Sequence, residues 1–125
     1  MLKVSLIIGL GGFLGSVSRY WLSLIVDKTF FGAYPYGTFT VNIIGCFLLG
    51  LIYAFADREQ LMTQEMRFFL ATGFCGSFTT FSTFSYENQL LYQEGEWTTL
   101  ITYIVLSVVL GILVTIAGVA LGKLF

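Results

Sequence analysis

The sequence predicts an all-α membrane protein that crosses the bilayer four times, and three observations carry that prediction. The chain is 57% hydrophobic and only 10% charged over 125 residues, with a mean hydropathy of +0.87. A soluble domain carries roughly 25% charged residues, so this surface is too apolar for water and must face lipid or a very large interface. Four apolar stretches reach the length of about 20 residues that a helix needs to span the hydrocarbon core. Nearly all the polar punctuation falls in the gaps between them. The length allows one domain, residues 1–125.

The first span is expected from about Lys3 to Val26. Lys3 followed by an apolar run resembles a signal peptide, but the run continues past Arg19 and no soluble domain follows, so a retained helix is expected. Asp27-Lys28 and Tyr34-Pro35-Tyr36-Gly37 separate it from the second span, about Thr38 to Ala56. Asp57-Arg58-Glu59-Gln60 leads to the third, about Arg67 to Tyr92, and Glu94-Gly95-Glu96-Trp97 to the fourth, about Thr99 to Leu124. No internal repeat or low-complexity tract interrupts this plan.

Composition also excludes. A net charge of −1 offers no basic patch for nucleic acid. Histidine, the commonest general base and transition-metal ligand, is absent, and no nucleophile–base constellation suggests an enzyme. Cys46 and Cys75 lie inside apolar runs and read as small buried residues.

Small residues recur four apart at Gly11/Gly15, Cys46/Gly50 and Gly118/Gly122. In lipid such spacing lets helix backbones approach closely; whether within one chain or between chains is left open by the sequence. Four helices enclose a pore poorly, so a symmetric oligomer, most simply a dimer, is expected.

The third span is unusual. Between Thr72 and Ser85 it holds seven Ser/Thr residues, two glycines and four phenylalanines where leucine would be cheapest. Gly73 and Gly76 weaken the helix, and the hydroxyls compete for its backbone groups. A break here would free amides and carbonyls, which at membrane depth survive only if buried in protein or lining a wet cavity; the alternative is a packing helix joined by polar side chains. Phe78, Phe81 and Phe84 recur every three residues and are expected near one face, as packing or as electropositive ring edges for an anion. Arg19, inside the first run, either snorkels to the headgroups or serves function. Asn42 offers an amide, for a pore or for an interhelical hydrogen bond. Tyr103, Ser107 and Thr115 share a stripe with Gly111 in its gap. These groups are neutral donors with hardly any acids, which favours an anion path over a proton relay.

The stretch Gly73-Phe74-Cys75-Gly76-Ser77-Phe78-Thr79-Thr80-Phe81-Ser82-Thr83-Phe84-Ser85 resembles the signature of the Fluc/CrcB fluoride channels. The resemblance covers the whole chain, including Gly15 through Arg19-Tyr20-Trp21, and Gly37-Thr38 with Asn42 and Gly45. It implies a broken third helix, an antiparallel dual-topology homodimer with two fluoride pores, and a prokaryotic plasma membrane (the inner membrane in a Gram-negative cell). It further implies a structural Na⁺ held by the backbone carbonyls of Gly76 and Thr79. Phe81, Phe84, Asn42, Tyr103 and Ser107 match its pore residues, with Thr80 and Thr83 of the same motif beside them, and Arg19 matches a vestibule residue. Glu87, the only acid within a span, is placed in the vestibule too. Three departures stand out: Ser77 where glycine is usual, Phe78 where leucine is common, and Gly111 where the polar stripe often continues with serine.

The physical logic agrees. Fluoride holds water tightly, so a dry filter must replace much of that hydration, and conduction needs binding weak enough to release. Neutral donors and ring edges meet both demands better than a buried cation. The alternative is a small proton-coupled multidrug exporter, which needs a membrane-embedded acid that the first helix lacks. A non-conducting assembly subunit is a second rival.

Overall fold

Without water to satisfy them, backbone amides and carbonyls at membrane depth must bond within their own segment, so each apolar run folds as helix. The computed structural model describes residues 1–58 and 60–125. In chain order it contains α1 (Leu2–Thr29), α2 (Tyr36–Ala56), the short α3 (Gln64–Arg67), a π-helical stretch Phe68–Cys75, the single turn α4 (Gly76–Phe78), α5 (Phe81–Gln93) and α6 (Trp97–Lys123). Three of these, α1, α2 and α6, are long and apolar enough to cross a membrane. Among the described residues there are no strands. Glu59, expected in the middle loop, lies outside the described residues.

The long helices overrun the apolar runs that announced them. α1 continues through Asp27 and Lys28 to Thr29, and α2 begins at Tyr36 rather than Thr38. Polarity marks where lipid ends, whereas a helix ends only where its backbone is capped. Here the Asp27 carboxylate supplies a cap from outside, accepting the Gly37 N–H at 2.8 Å in the first turn of α2.

The third region is in pieces. After α4 the backbone leaves the helical basin at Thr79 (φ −86°, ψ 158°) and Thr80 (φ −150°, ψ 122°), and helix resumes at Phe81. The preceding π-helical stretch is itself loosely wound, a form that recurs at functional sites.

α2 packs along α6, while α1 packs against the π-helical stretch and α4. The small residues make these approaches possible within one chain. A Cβ at Gly11 or Gly15 would run into the carbonyl oxygens of Phe69 and Phe74. Gly50 and Gly118 stand equally close to backbone across the α2–α6 seam. Val41, Cys75 and Tyr103 are the largest fully buried side chains. Outward, α1 shows Leu6, Leu10 and Phe13, and α6 shows Ile101, Val105, Ile112 and Ile116, an apolar coat suited to lipid.

One end of the bundle gathers the termini. Lys3 pairs with Glu65, Arg58 donates to the Lys123 carbonyl at 2.8 Å, and the Arg67 guanidinium lies 5.0 Å from the Tyr53 ring centroid.

Gly15 tests the close approach. Gly15→Ala should cost about 1–3 kcal/mol through overpacking. Gly9→Ala, where a Cβ meets nothing within 4 Å, should be neutral or stabilising by up to about 1 kcal/mol. Thermal unfolding of the purified variants in detergent checks the contrast, and equal behaviour would refute the packing account.

Candidate functional site at the Thr79–Thr80 interruption

Two extended residues between helices leave backbone groups that need partners. Thr79 solves half of this locally: its N–H and its hydroxyl both donate to the Cys75 carbonyl, at 3.1 and 3.0 Å. Thr80 does not. Its N–H, which in a continuous helix would return to the Gly76 carbonyl, donates to Asn42 Oδ1 at 2.8 Å, and its carbonyl accepts from Asn42 Nδ2 at 3.1 Å. One side-chain amide on α2 thus replaces the helical acceptor of the Thr80 N–H and adds a donor to the Thr80 carbonyl, which as the N-cap oxygen also begins α5. Gly45, one turn further along α2, makes room: a Cβ there would strike the Thr79 methyl.

Thr80 also starts the next helix. Its Oγ1 accepts the Thr83 N–H at 3.2 Å, an N-cap, and lies within 3.1 Å of the Thr83 hydroxyl and 3.3 Å of the Ser82 hydroxyl. From α1, Arg19 Nη1 donates to the Thr79 carbonyl at 3.3 Å. Arg19 therefore points inward to the interruption; the snorkelling alternative does not describe it.

Two cavities flank the interruption, and Thr80 lines both. One, of about 420 Å³, is lined by Asn42, Thr79, Phe81, Phe84 and Ser107 among others, and reaches Gly76. The other, of about 350 Å³, is lined by Arg19, Asp27, Thr38, Thr83 and Glu87. Tyr103 lies behind them, fully buried, its ring centroid 4.9 Å from that of Phe84. Its hydroxyl donates to Glu87 Oε2 at 2.8 Å, and Thr38 donates to the other oxygen of the same carboxylate. Glu87 is thus fixed by two neutral donors on the side of the cavity nearer the α1–α2 loop.

The eleven residues expected for the pore, its vestibule and the cation site fall on or beside these two cavities. One expectation fails. Phe78 does not share a face with Phe81 and Phe84: it is buried and stacks on Phe74, with centroids 5.5 Å apart and planes 12° apart. Spacing by three predicts a common face only along an unbroken helix, and the chain turns extended between Phe78 and Phe81. Phe81 and Phe84 do stay together, centroids 5.7 Å apart, with Phe81 79% exposed. Of the α6 stripe, Ser107 lines the first cavity with a buried hydroxyl that lacks a partner, while Thr115 donates to the Gly111 carbonyl.

Sequence reasoning underrated Thr38 and Asp27. Thr38 lies four residues before Asn42, hence on the same face of α2, and that spacing was the available signal. The Asp27 cap carried none, because it depends on where a loop returns the chain. In that loop Tyr34 packs edge-on to Tyr103, centroids 5.3 Å apart, and burial, with Tyr36 adding to it, raises its phenol above the usual range.

Asn42→Leu keeps approximate volume but removes both bonds to Thr80. The Thr80 N–H is left without a partner, while its carbonyl keeps the first bond of α5, so a loss of about 1–3 kcal/mol is expected. Thermal unfolding in detergent measures it, and a loss below about 0.5 kcal/mol, the size of an ordinary surface change, would show that Asn42 does not hold the interruption.

The family model for CrcB-like proteins (Camphor Resistance, CrcB) matches residues 6–119. A protein named fluoride-specific ion channel FluC from Azobacteroides pseudotrichonymphae genomovar. CFP2 is 39% identical over 125 residues, covering 100% of both chains. Proteins of the same name from Flavobacterium psychrophilum and Leptospira interrogans are 42% and 45% identical over 122 and 123 residues, covering 98% of this chain and 98% and 97% of theirs. On this full-length match and the family model, the chain belongs to the CrcB-like family.

Proposed function

We propose that this protein is a passive, fluoride-selective channel of a prokaryotic plasma membrane, releasing from the cytoplasm fluoride that entered as its neutral acid. The observation that carries the reading is the end-to-end relationship to proteins named fluoride-specific ion channel. The site's chemistry agrees with it. The first cavity offers an amide, hydroxyls and two phenylalanine rings but no charged side chain. Such donors can replace water around a small anion without trapping it. On this reading Asn42, Thr80, Thr83, Phe81, Phe84, Tyr103 and Ser107 form the path, and Arg19 and Glu87 its vestibule.

The functional unit we infer is a homodimer. α5 leaves Phe81, Ser82, Ser85, Tyr86 and Gln89 exposed, and a face with hydroxyls and an amide suits a protein partner better than hydrocarbon. A second copy of the same face is the economical cover. We also infer that the Thr79–Thr80 interruption lies within the membrane as a broken third helix.

The Na⁺ that the family implies would be held by the Gly76 and Thr79 carbonyls of two copies. The donor set fits a hard cation: the Thr80 N–H that would otherwise bond Gly76 is engaged by Asn42, so the Gly76 oxygen is released. The Thr79 oxygen already accepts from Arg19, and its second lone pair remains for a cation. When bound, Na⁺ would supply a fixed positive charge that favours anions.

Purified protein in liposomes should release fluoride, read with a fluoride electrode, with very little chloride flux and no energy source. Equal chloride flux, or organic-cation uptake driven by a pH gradient, would instead favour another channel or the multidrug exporter. Phe81→Ile and Phe84→Ile should each lower flux per folded dimer strongly, because the ring edge is lost while bulk is retained; unchanged flux would reduce both rings to packing.

We further propose that the two copies insert in opposite orientations. Lys3, Arg58, Arg67 and Lys123 lie toward the termini and Lys28 toward the other side; taken alone this bias leans toward termini inside, and the opposed arrangement rests on the family match. Cysteine labelling at one introduced loop site in intact cells should find it both inside and outside; labelling from a single side would exclude opposed insertion.

A further inference from the structure

The stripe of α6 has a gap. Tyr103, Ser107, Gly111 and Thr115 follow at intervals of four, and Gly111 brings no side chain. The structure shows what faces that gap: a Cβ built on Gly111 would meet one neighbouring atom, Cys46 Sγ, at 3.6 Å. The thiol of α2 therefore stands opposite the position where α6 lacks a side chain.

Cys46 also occupies a junction. A third cavity, of about 400 Å³, runs along α6 past Gly111 and Thr115, and it shares Cys46, Ser107 and Val108 with the cavity that contains Asn42, Phe81 and Phe84. In the otherwise apolar lining of this third cavity three side chains can donate a hydrogen bond: Ser107, Cys46 and Thr115. The Thr115 hydroxyl is engaged with the Gly111 and Cys46 carbonyls, at 2.8 and 3.3 Å. The Ser107 oxygen is buried and has no partner. The free donors at the neck are thus one serine hydroxyl and one thiol. A thiol is a weak donor, but a polarizable one.

We propose that the Cys46 thiol completes the donor row of α6 from the neighbouring helix and forms part of the wall of the anion path at the neck between the two cavities. This rests on the channel reading above, and it assigns Cys46 a role distinct from that of Cys75, which borders the first cavity but is only 2% exposed and does not reach the third. A hydroxyl on either helix should then serve in its place, because the Gly111 position has room for a Cβ at ordinary contact distance.

The test uses the full-length protein in liposomes and four forms: wild type, Cys46→Ala, Cys46→Ser, and Cys46→Ala combined with Gly111→Ser. Cys46→Ala should lower fluoride flux per folded dimer about three- to tenfold. Both hydroxyl forms should return it to within about twofold of wild type, since a hydroxyl donates at least as well as a thiol. Wild-type flux in Cys46→Ala, or loss that neither hydroxyl repairs at unchanged thermal stability, overturns the proposal. A second measurement needs no flux. A charged methanethiosulfonate reagent reacts with thiolate, which forms only where water reaches. Mass spectrometry of the purified protein should find Cys46 modified and Cys75 spared; an unmodified Cys46 overturns the proposal. Wild type that passes no fluoride refutes the channel reading itself, and the labelling then still decides whether Cys46 faces a wet path.

Discussion

Everything around the site depends on one exchange of hydrogen bonds, in which the Asn42 amide takes the Thr80 N–H from the preceding helix and donates to the Thr80 carbonyl at the start of the next. An extended dipeptide between apolar helices strands polar backbone, and each stranded group costs as much as several apolar contacts return. Asn42 has one acceptor and two donors at the end of a short side chain, so it meets the N–H and the carbonyl of Thr80 at once. The approach is available only because Gly45 lets α2 come up against Thr79. The same interruption then sets the rest. It releases the Gly76 carbonyl, turns Phe81 and Phe84 away from Phe78, and puts the Thr80 hydroxyl at the start of α5.

The distribution of polarity around the interruption is graded. The cavity lined by Asn42, Phe81, Phe84 and Ser107 has only neutral groups, while the ionisable side chains Arg19, Asp27 and Glu87 collect in the neighbouring one. Each is tied down: Arg19 by a backbone carbonyl, Asp27 by the Gly37 amide, and Glu87 by Thr38 and Tyr103. Fixing an ionisable group near membrane depth requires such partners. A neutral centre suits the proposed passage of a strongly hydrated anion, because neutral donors bind it weakly enough to release.

The surface divides in a similar way. α1 and α6 turn aliphatic and aromatic side chains outward, whereas the exposed face of α5 carries serines, a glutamine and the mostly uncovered Phe81. Hydrocarbon gives no reason for hydroxyls on an outer face, and the proposed second copy of the chain would give one. On the proposed reading the ring of Phe81 becomes part of an enclosed path only when that copy is present.

The sequence by itself determined the membrane class, the approximate limits of the apolar segments and the identity of the anomalous third region, because hydropathy and composition act through local, additive transfer energies. It also exposed the signature from Gly73 to Ser85 that marks the family. Tertiary structure decided the rest. The failure of the phenylalanine spacing to include Phe78 followed from backbone angles at Thr79 and Thr80, held extended where Asn42, 38 positions away, bonds to Thr80. The inward turn of Arg19, the pinning of Glu87 by Thr38 and Tyr103, and the meeting of Cys46 with Gly111 are likewise contacts between helices. Residue spacing reveals which side chains share a face, but only the packing of one helix on another fixes what that face meets.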